Sequence, residues 1–247
     1  MNARAPELSI IIPAYNEEPR LPRTLERIRE YLASKGNEAE VLVVDDGSRD
    51  GTAKLAREWQ ARWPAVRLVS NVGNRGKGYS VRHGMLEARG RVALFTDADL
   101  SAPIEEADKL LAALASADVA IGSRALDRGL ISVHQSRVRE LAGIIFNLIV
   151  RLMTRVPFRD TQCGFKAFVR ARARIIFEQQ KIEGFGFDPE ILFLAERHSL
   201  RAVEIPVRWS HDPATKVRVL RDSLRMFCDL VRIRWNWLLG RYPRPAA

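Results

Sequence analysis

Short apolar runs alternate with helically spaced apolar residues through the first half of the chain. LSIIIP (8–13) is apolar and β-branched, which predicts a buried strand. Residues 18–35 follow with Leu21, Leu25, Ile28 and Leu32 at helical spacing. VLVVDD (41–46) reads as a second strand ending in two acids, and 51–62 as a helix with Asp50 placed to cap it. VRLVS (66–70) is a third strand, and the glycine-rich NVGNRGKG (71–78) leads into a helix over 79–89. RVALFTDAD (91–99) is a fourth strand ending in acids, 103–115 a helix, and DVAIGSR (118–124) a fifth strand. This alternation predicts an α/β fold, a mostly parallel sheet flanked by helices on both faces.

Beyond residue 124 the alternation breaks. A basic, apolar helix pair is expected at 134–155, then loop plus strand at 160–169 and a loop entering a helix at 185–197. AVEIPVRW (202–209) reads as a strand and 216–240 as a long final helix. No repeat and no Pro/Ser linker intervenes, so the halves 1–124 and 125–247 are expected to share one compact body.

Charge adds a constraint. The 247 residues carry 40 Lys+Arg against 30 Asp+Glu, a net charge of +10 spread along the whole length. That favours an anionic partner: nucleic acid, a phosphorylated ligand or an acidic membrane surface. Cys163 and Cys228 have no CxxC spacing, and His83, His134, His198 and His211 have no ligand spacing, which argues against a disulfide scaffold or a zinc site and for a reducing cytoplasmic compartment. MNARAPELS lacks the apolar core of a secretory signal. The longest apolar run, LAGIIFNLIV (141–150), is about half the roughly 20 residues that a membrane span needs.

Ligands of open α/β sheets bind outside the carboxyl ends of the strands. Polar residues gather there: Asn16 and Glu17, Asp45 and Asp46, Asn71 to Lys77, Asp97 and Asp99, Ser123 and Arg124. Each alone reads equally as a turn or cap, but five consecutive strands deliver them. Asp97 and Asp99 can hold a hard divalent cation, Mg²⁺ or Mn²⁺, with diphosphate oxygens completing the shell and Ser101 supporting it; the plain alternative is two solvated acids. Gly73–Gly78 fits neither the Walker nor the dinucleotide spacing, yet Arg75 and Lys77 before a helix N-terminus attract anions, unless the loop is a surface turn. Asp45 or Asp46 can accept from a nucleobase or ribose, or cap the next helix.

On the last helix Leu220, Leu224, Phe227, Val231, Trp235 and Leu238 share one face, flanked by Arg221, Arg225, Arg232 and Arg234. Such a stripe suits an anionic bilayer interface or ordinary packing on the sheet. The 134–155 segment, with Arg137, Arg139, Arg151 and Arg155 around its apolar run, favours interface contact more.

Together IIPAYNE (11–17), VVDDGSRDGT (43–52), NRGKGYSVRHG (74–84), FTDADLSAP (95–103) and IGSR (121–124) resemble the family 2 glycosyltransferases of GT-A fold. RDTQCGFKAF (159–168), GFDPEILFLAE (186–196), VEIPVRW (203–209) and the Lys216 region resemble the dolichyl-phosphate glucosyltransferase and mannosyltransferase group, and DTQCGFK its glucosyltransferase branch. The resemblance spans residues 8 to 242. It implies inverting transfer of a hexose, glucose from UDP-glucose being favoured, to a polyprenyl phosphate by an enzyme peripherally bound to the cytoplasmic membrane face, with Mg²⁺ or Mn²⁺.

Carried over residue by residue, the resemblance puts Pro13, Tyr15, Glu17, Asp45, Asp46, Lys77, Asp97 and Ala98 at the donor, and Asp97, Asp99 and Ser101 at the metal. Arg137 or Arg139, with Lys216, would meet the acceptor phosphate, and Asp99, Arg124, Gln162 and Asp188 would form the catalytic set. A phosphate monoester, with a second pKa of about 6, needs little general-base help. Bringing two anions together is the larger problem, which arginines and a metal solve. A sugar hydroxyl would require a base, for which Asp188 is the candidate. The alternatives are GDP-mannose as donor, a soluble or glycan acceptor, and a non-catalytic basic module. Nucleic acid is not expected, since no reader motif is present.

Overall fold

The computed structural model describes residues 6–36, 38–133, 137–211 and 219–243. The first half runs β1 (Leu8–Ala14), α1 (Leu21–Lys35), β2 (Ala39–Asp45), α2 (Thr52–Arg62), β3 (Val66–Ser70), α3 (Lys77–Glu87), β4 (Val92–Phe95), α4 (Ala107–Ala113) and β5 (Val119–Ser123). The second runs β6 (Ile131–Val133), α5 (Arg137–Thr154), β7 (Lys166–Val169), α6 (Arg170–Gln179), α7 (Phe187–Arg197), β8 (Ala202–Pro206), β9 (Trp209–Ser210) and α8 (Val219–Leu238).

Among the described residues the main sheet has seven strands in the order β3-β2-β1-β4-β7-β5-β8, and β6 pairs with β9 apart from it. β1 pairs parallel with β2 and β4, β2 with β3, and β5 with β8. β7 runs antiparallel to both its neighbours, β4 and β5. Its direction follows from where the chain arrives: residues 160–164 already lie at the carboxyl ends of β4 and β5, so the strand must descend from there.

Strands covered on both faces read as continuous apolar runs. Accordingly Ile10, Ile11 and Ile12 of β1 are all fully buried. Ile11 joins the core formed with α3, α5, α6, α7 and α8, while Ile10 and Ile12 join the core formed with α1 and α4. The stripe predicted for α1 (Leu21, Leu25, Ile28, Leu32) is buried throughout.

Several boundaries differ from expectation. A single helix, α5, replaces the helix pair at 134–155, of which 134–136 lie outside the described residues. β4 stops at Phe95, so Asp97 and Asp99 stand in the turn beyond the strand. The 202–209 strand divides into β8 and β9. Helix α6 was not expected: RARAR alternates in the manner of a strand, but burial of Ala173, Ile176 and Phe177 on one face stabilises a helix. Asp50 stands one residue before the cap position of α2, yet still accepts the Thr52 N–H at 3.0 Å.

The packing alternative for the final helix is corrected. Leu224, Phe227, Val231, Trp235 and Leu238 are exposed, whereas a second stripe of Met226, Leu230 and Ile233 is buried. Met226, Leu230 and Ile233 follow helical spacing too, and this face seats α8 against α5 and α7. On α5 the side chains of Leu141, Ile144, Ile145, Leu148 and Leu152 are likewise exposed. No helix among the described residues is long and apolar enough to cross a membrane.

The joint between the halves is aromatic. Phe168 of β7 stacks on Phe95 of β4 at 6.0 Å and meets Phe177 of α6 edge-on at 5.2 Å. Removing so large a buried ring leaves a cavity, so Phe168→Ala should destabilise the fold by about 3–5 kcal/mol, read from urea unfolding.

Candidate active site

The loops after β1 and β2 are laced together. Asn16 sits at φ 53°, its N–H donates to Ser48 Oγ at 2.9 Å, and its Oδ1 accepts from the Arg49 N–H at 2.8 Å. The Glu17 N–H donates to Thr52 Oγ1 at 2.8 Å. Pro13 and Tyr15 lie half-buried where β1 ends. This lacing leaves the two acids at the end of β2 with different partners. Asp46 is taken up by the glycine-rich loop, accepting from Asn71 Nδ2 at 2.8 Å, the Arg75 N–H at 3.0 Å and the Gly76 N–H at 2.8 Å. Asp45 accepts only a long bond, 3.3 Å, from the Ser48 N–H among the contacts described. Gly47, at φ 68°, lies so close to Gly73 that a Cβ would stand 2.6 Å from that residue's carbonyl carbon.

Asp97, Ala98 and Asp99 turn across the end of β4. Lys77, from the first turn of α3, places its ammonium 2.5 Å from Asp97 Oδ1. A Cβ at Gly164 would meet the Asp97 carboxylate, which in this position lies directly against the bare glycine. Asp99 accepts the Ser101 N–H at 2.9 Å, and the Ala98 carbonyl accepts from Thr24 Oγ1. Burial, then the charge of Asp97, holds the Asp99 pKa above the usual carboxylate value. Burial works against the Lys77 ammonium, but Asp97, Asp188 and Asp99 outweigh it and raise its pKa.

Below this turn lies a second ion pair. Lys166 of β7 is 0% exposed, donates to the Cys163 carbonyl at 2.7 Å and is ion-paired with Asp188 of α7, itself 4% exposed. Burial raises the Asp188 pKa against the opposing pull of Lys166 and Lys77. Asp188, the candidate base for a hydroxyl acceptor, is therefore occupied by a lysine.

Arg124, at the end of β5, is gripped by Asp160. Its Nε and Nη2 donate at 2.7 and 2.8 Å to the two carboxylate oxygens, and its backbone N–H donates at 3.0 Å. Its guanidinium lies 5.3 Å from the Trp209 ring centroid. Glu204 of β8 in turn accepts the Arg159 and Asp160 N–H groups at 2.9 and 2.7 Å. Gln162 extends from this segment to within 3.8 Å of Met226 Sδ on α8.

Arg124, Arg159 and Gln162, with Ile144, Leu148 and Arg151 of α5, line a cleft of about 390 Å³. Arg151 and Arg159 are exposed and have no carboxylate partner among the described residues. Arg128, which also lines the cleft, is ion-paired with Glu140. Arg137 and Arg139 belong to the first turn of α5 with side chains outside the described residues, and Lys216 lies outside them altogether. A second cleft, about 440 Å³, is lined by Arg20, Arg23, Thr24, Asp99, Ser101 and His211.

The structure thus gathers Asp97, Ala98, Asp99, Ser101 and Lys77 at one turn, with Asp188 beneath. Spacing does not mark Asp160, Gly164 or Lys166, which respectively grip Arg124, admit Asp97 and hold Asp188. The available signal was the polar segment DTQCGFK leading into an apolar strand. His211 has no ligand spacing in the sequence, and only folding brings it to the cleft of Asp99.

An open, mostly parallel sheet with acids at its strand ends and one antiparallel strand within it is the architecture of the GT-A glycosyltransferases. Glucosyl-3-phosphoglycerate synthase from Mycobacterium tuberculosis, solved with Mn²⁺, UDP and its glucosylated product, has this fold at a TM-score of 0.63 and 19% identity, covering 98% of this chain and 82% of that one. The mannosyltransferase PcManGT of Pyrobaculum calidifontis, solved with GDP-Man and Mn²⁺, superimposes at a TM-score of 0.59 with 20% identity, over 93% of this chain and 65% of that one.

The family model of glycosyl transferase family 2 matches residues 9–170, and the chain belongs to that family of enzymes. It is 40% identical over 251 residues to a dolichyl-phosphate beta-glucosyltransferase of Drosophila melanogaster, covering 96% of this chain and 77% of that protein. It is 34% identical to the dolichyl-phosphate beta-glucosyltransferase of Homo sapiens, with the same coverage of each.

The Asp160–Arg124 pair has a pH signature. Burial alone would raise the Asp160 pKa, but the Arg124 charge and its hydrogen bonds hold it below the usual value. A depressed folded pKa gives stability that is present above the unfolded pKa and lost as pH falls through the folded one. Asp160→Asn should therefore cost about 3 kcal/mol near pH 7, and the gap to wild type should close below about pH 4, read from denaturant unfolding across pH.

Proposed function

We propose that this enzyme transfers glucose from UDP-glucose, with inversion, to the phosphate of a polyprenyl lipid of dolichyl or undecaprenyl type, while resting on the cytoplasmic face of a membrane. The observation that carries the reading is the cleft in which Arg124, Arg151 and Arg159 meet the exposed apolar face of α5. An anionic head joined to a long apolar tail is the ligand such a lining fits. The similarity to dolichyl-phosphate beta-glucosyltransferases supports the same acceptor and sugar.

In this reading Asp45 meets the nucleoside and Asp46 shapes the glycine-rich loop, because its oxygens are already bonded there. Asp97 and Asp99 fit a divalent cation: two hard oxygen donors stand on one turn, with Lys77 paired to Asp97 through Oδ1 alone. Among the described residues no third His, Cys, Asp or Glu completes the set, which suits a site whose remaining ligands are diphosphate oxygens. When bound, Mg²⁺ or Mn²⁺ would stabilise the charge on the departing UDP. Arg124, aimed by Asp160, holds the acceptor phosphate beside the sugar. A phosphate oxygen forms the new bond to the anomeric carbon on the face opposite UDP, and the old carbon–oxygen bond breaks with its electron pair leaving on UDP.

The acceptor needs no strong base. The pairing of Asp188 with Lys166 favours this over a hydroxyl acceptor, which would need that carboxylate free. Arg225 and Arg232 beside the exposed stripe of α8 support contact with an anionic bilayer.

A panel of UDP-glucose, GDP-mannose and other nucleotide sugars, offered with a polyprenyl phosphate and Mg²⁺ or Mn²⁺, should give a hexosyl-lipid from UDP-glucose by mass spectrometry; no lipid product from any donor refutes the proposal. Asp97→Ala and Asp99→Ala should remain folded yet lose at least about 100-fold in turnover. Arg151→Glu with Arg159→Glu should raise the KM for the lipid phosphate about tenfold or more and leave that for the donor unchanged in steady-state kinetics.

A further inference from the structure

Glu190 is a buried carboxylate that the proposed chemistry does not use. Its side chain is 0% exposed and makes no ion pair among the described residues. An uncompensated buried charge is costly, so its oxygens must be bonded. They accept from the Tyr242 hydroxyl at 2.5 Å, the Lys181 N–H at 2.9 Å and the Ile182 N–H at 2.8 Å. Tyr242 lies just beyond α8, is itself fully buried, and stands close to Lys181, whose ammonium is 5.9 Å from its ring centroid.

The segment that Glu190 holds is the bed of the glycine-rich loop. Gln180 Nε2 donates to the carbonyls of Gly78 and Ile182 at 2.8 and 3.0 Å. The Tyr79 N–H donates to the Glu183 carbonyl at 3.1 Å, and Arg75 is ion-paired with the Glu183 carboxylate. The approach is as close as backbone allows. A Cβ at Gly76, where φ is 110°, would stand 2.5 Å from the Glu183 oxygen, and one at Gly78 would stand 2.7 Å from the Ile182 oxygen. Lys77 lies between these two glycines and carries its ammonium to Asp97.

We infer that Glu190, held by Tyr242, is a positioning residue for the donor loop: through the Lys181–Ile182 backbone it sets where Gly76–Gly78 places Lys77. The inference rests on the reading of this loop as the nucleotide-sugar site. A segment beyond the final helix thereby acts on the donor site from the opposite face of α7. Burial also raises the Glu190 pKa, as expected of a carboxylate bonded only to neutral donors.

The test is calorimetric titration of UDP with Mn²⁺ into the full chain without lipid, with thermal unfolding measured in parallel. Tyr242→Phe should raise the UDP Kd about threefold and Glu190→Ala about tenfold, with Glu190→Gln, which keeps one acceptor oxygen, falling between them. A brace that served stability alone would lower the melting temperature and leave the Kd of the folded molecules unchanged. Wild-type Kd in folded Tyr242→Phe and Glu190→Gln overturns the inference, and Tyr242→Phe decides it if Glu190→Ala does not fold. If the wild-type chain binds no UDP, the donor reading fails and this inference with it.

Discussion

β7 runs against both β4 and β5, and the segment that feeds it, residues 160–166, supplies much of what the site depends on. Asp160 grips Arg124 with both carboxylate oxygens, Gly164 leaves room for the Asp97 carboxylate, and Lys166 pairs with Asp188. Had the strand been parallel, its loop would have lain at the far edge of the sheet, and none of these contacts would form. The direction of one short strand thus joins the acidic strand ends of the first half to the basic cleft of the second.

The chemistry follows from how charge is distributed around that strand. Lys77, Asp97, Asp99, Asp188 and Lys166 form a row of near neighbours, in which attraction to the acids raises the Lys77 pKa against its burial, while burial raises those of Asp99 and Asp188. Such groups are pre-arranged before any ligand arrives, which is the condition for electrostatic stabilisation without reorganisation. The net charge of +10 acquires a location in the same way. Many surface cations are cancelled by local acids, as in the pairs Arg27–Glu105, Arg67–Glu87 and Arg174–Glu178. Arg151 and Arg159, which have no carboxylate partner among the described residues, line one cleft beside an apolar helix face. Part of the basic balance thus lies beside an exposed apolar helix face.

Much of the fold was legible because both faces of the sheet are covered. Strands then read as unbroken apolar runs, and the polar residues that interrupt them mark the ligand edge. That argument located Asp45, Asp46, Lys77, Asp97, Asp99 and Arg124 together. It could not separate Asp45 from Asp46, since adjacent acids are equivalent in a pattern and differ only in whether a folded loop donates to them. Helix α6 escaped because an arginine-alternating start conceals the helical burial of Ile176 and Phe177. The α8 stripe was found, but its exposure was not: α8 has two apolar faces, and hydrophobic periodicity carries no sign for inside or outside.

The amino-acid sequence by itself determined the α/β alternation, the strand-end acids and the family, because these depend on local periodicity and short contiguous motifs. The tertiary structure decided which carboxylates are free and which are occupied, and which face of α8 is left to solvent. It also brought residues distant in the chain, such as Asp97 with Gly164 and Glu190 with Tyr242, into contact. Those outcomes rest on pairings between residues distant in the chain. Their free energy comes from burial and geometry created only when the strands have closed.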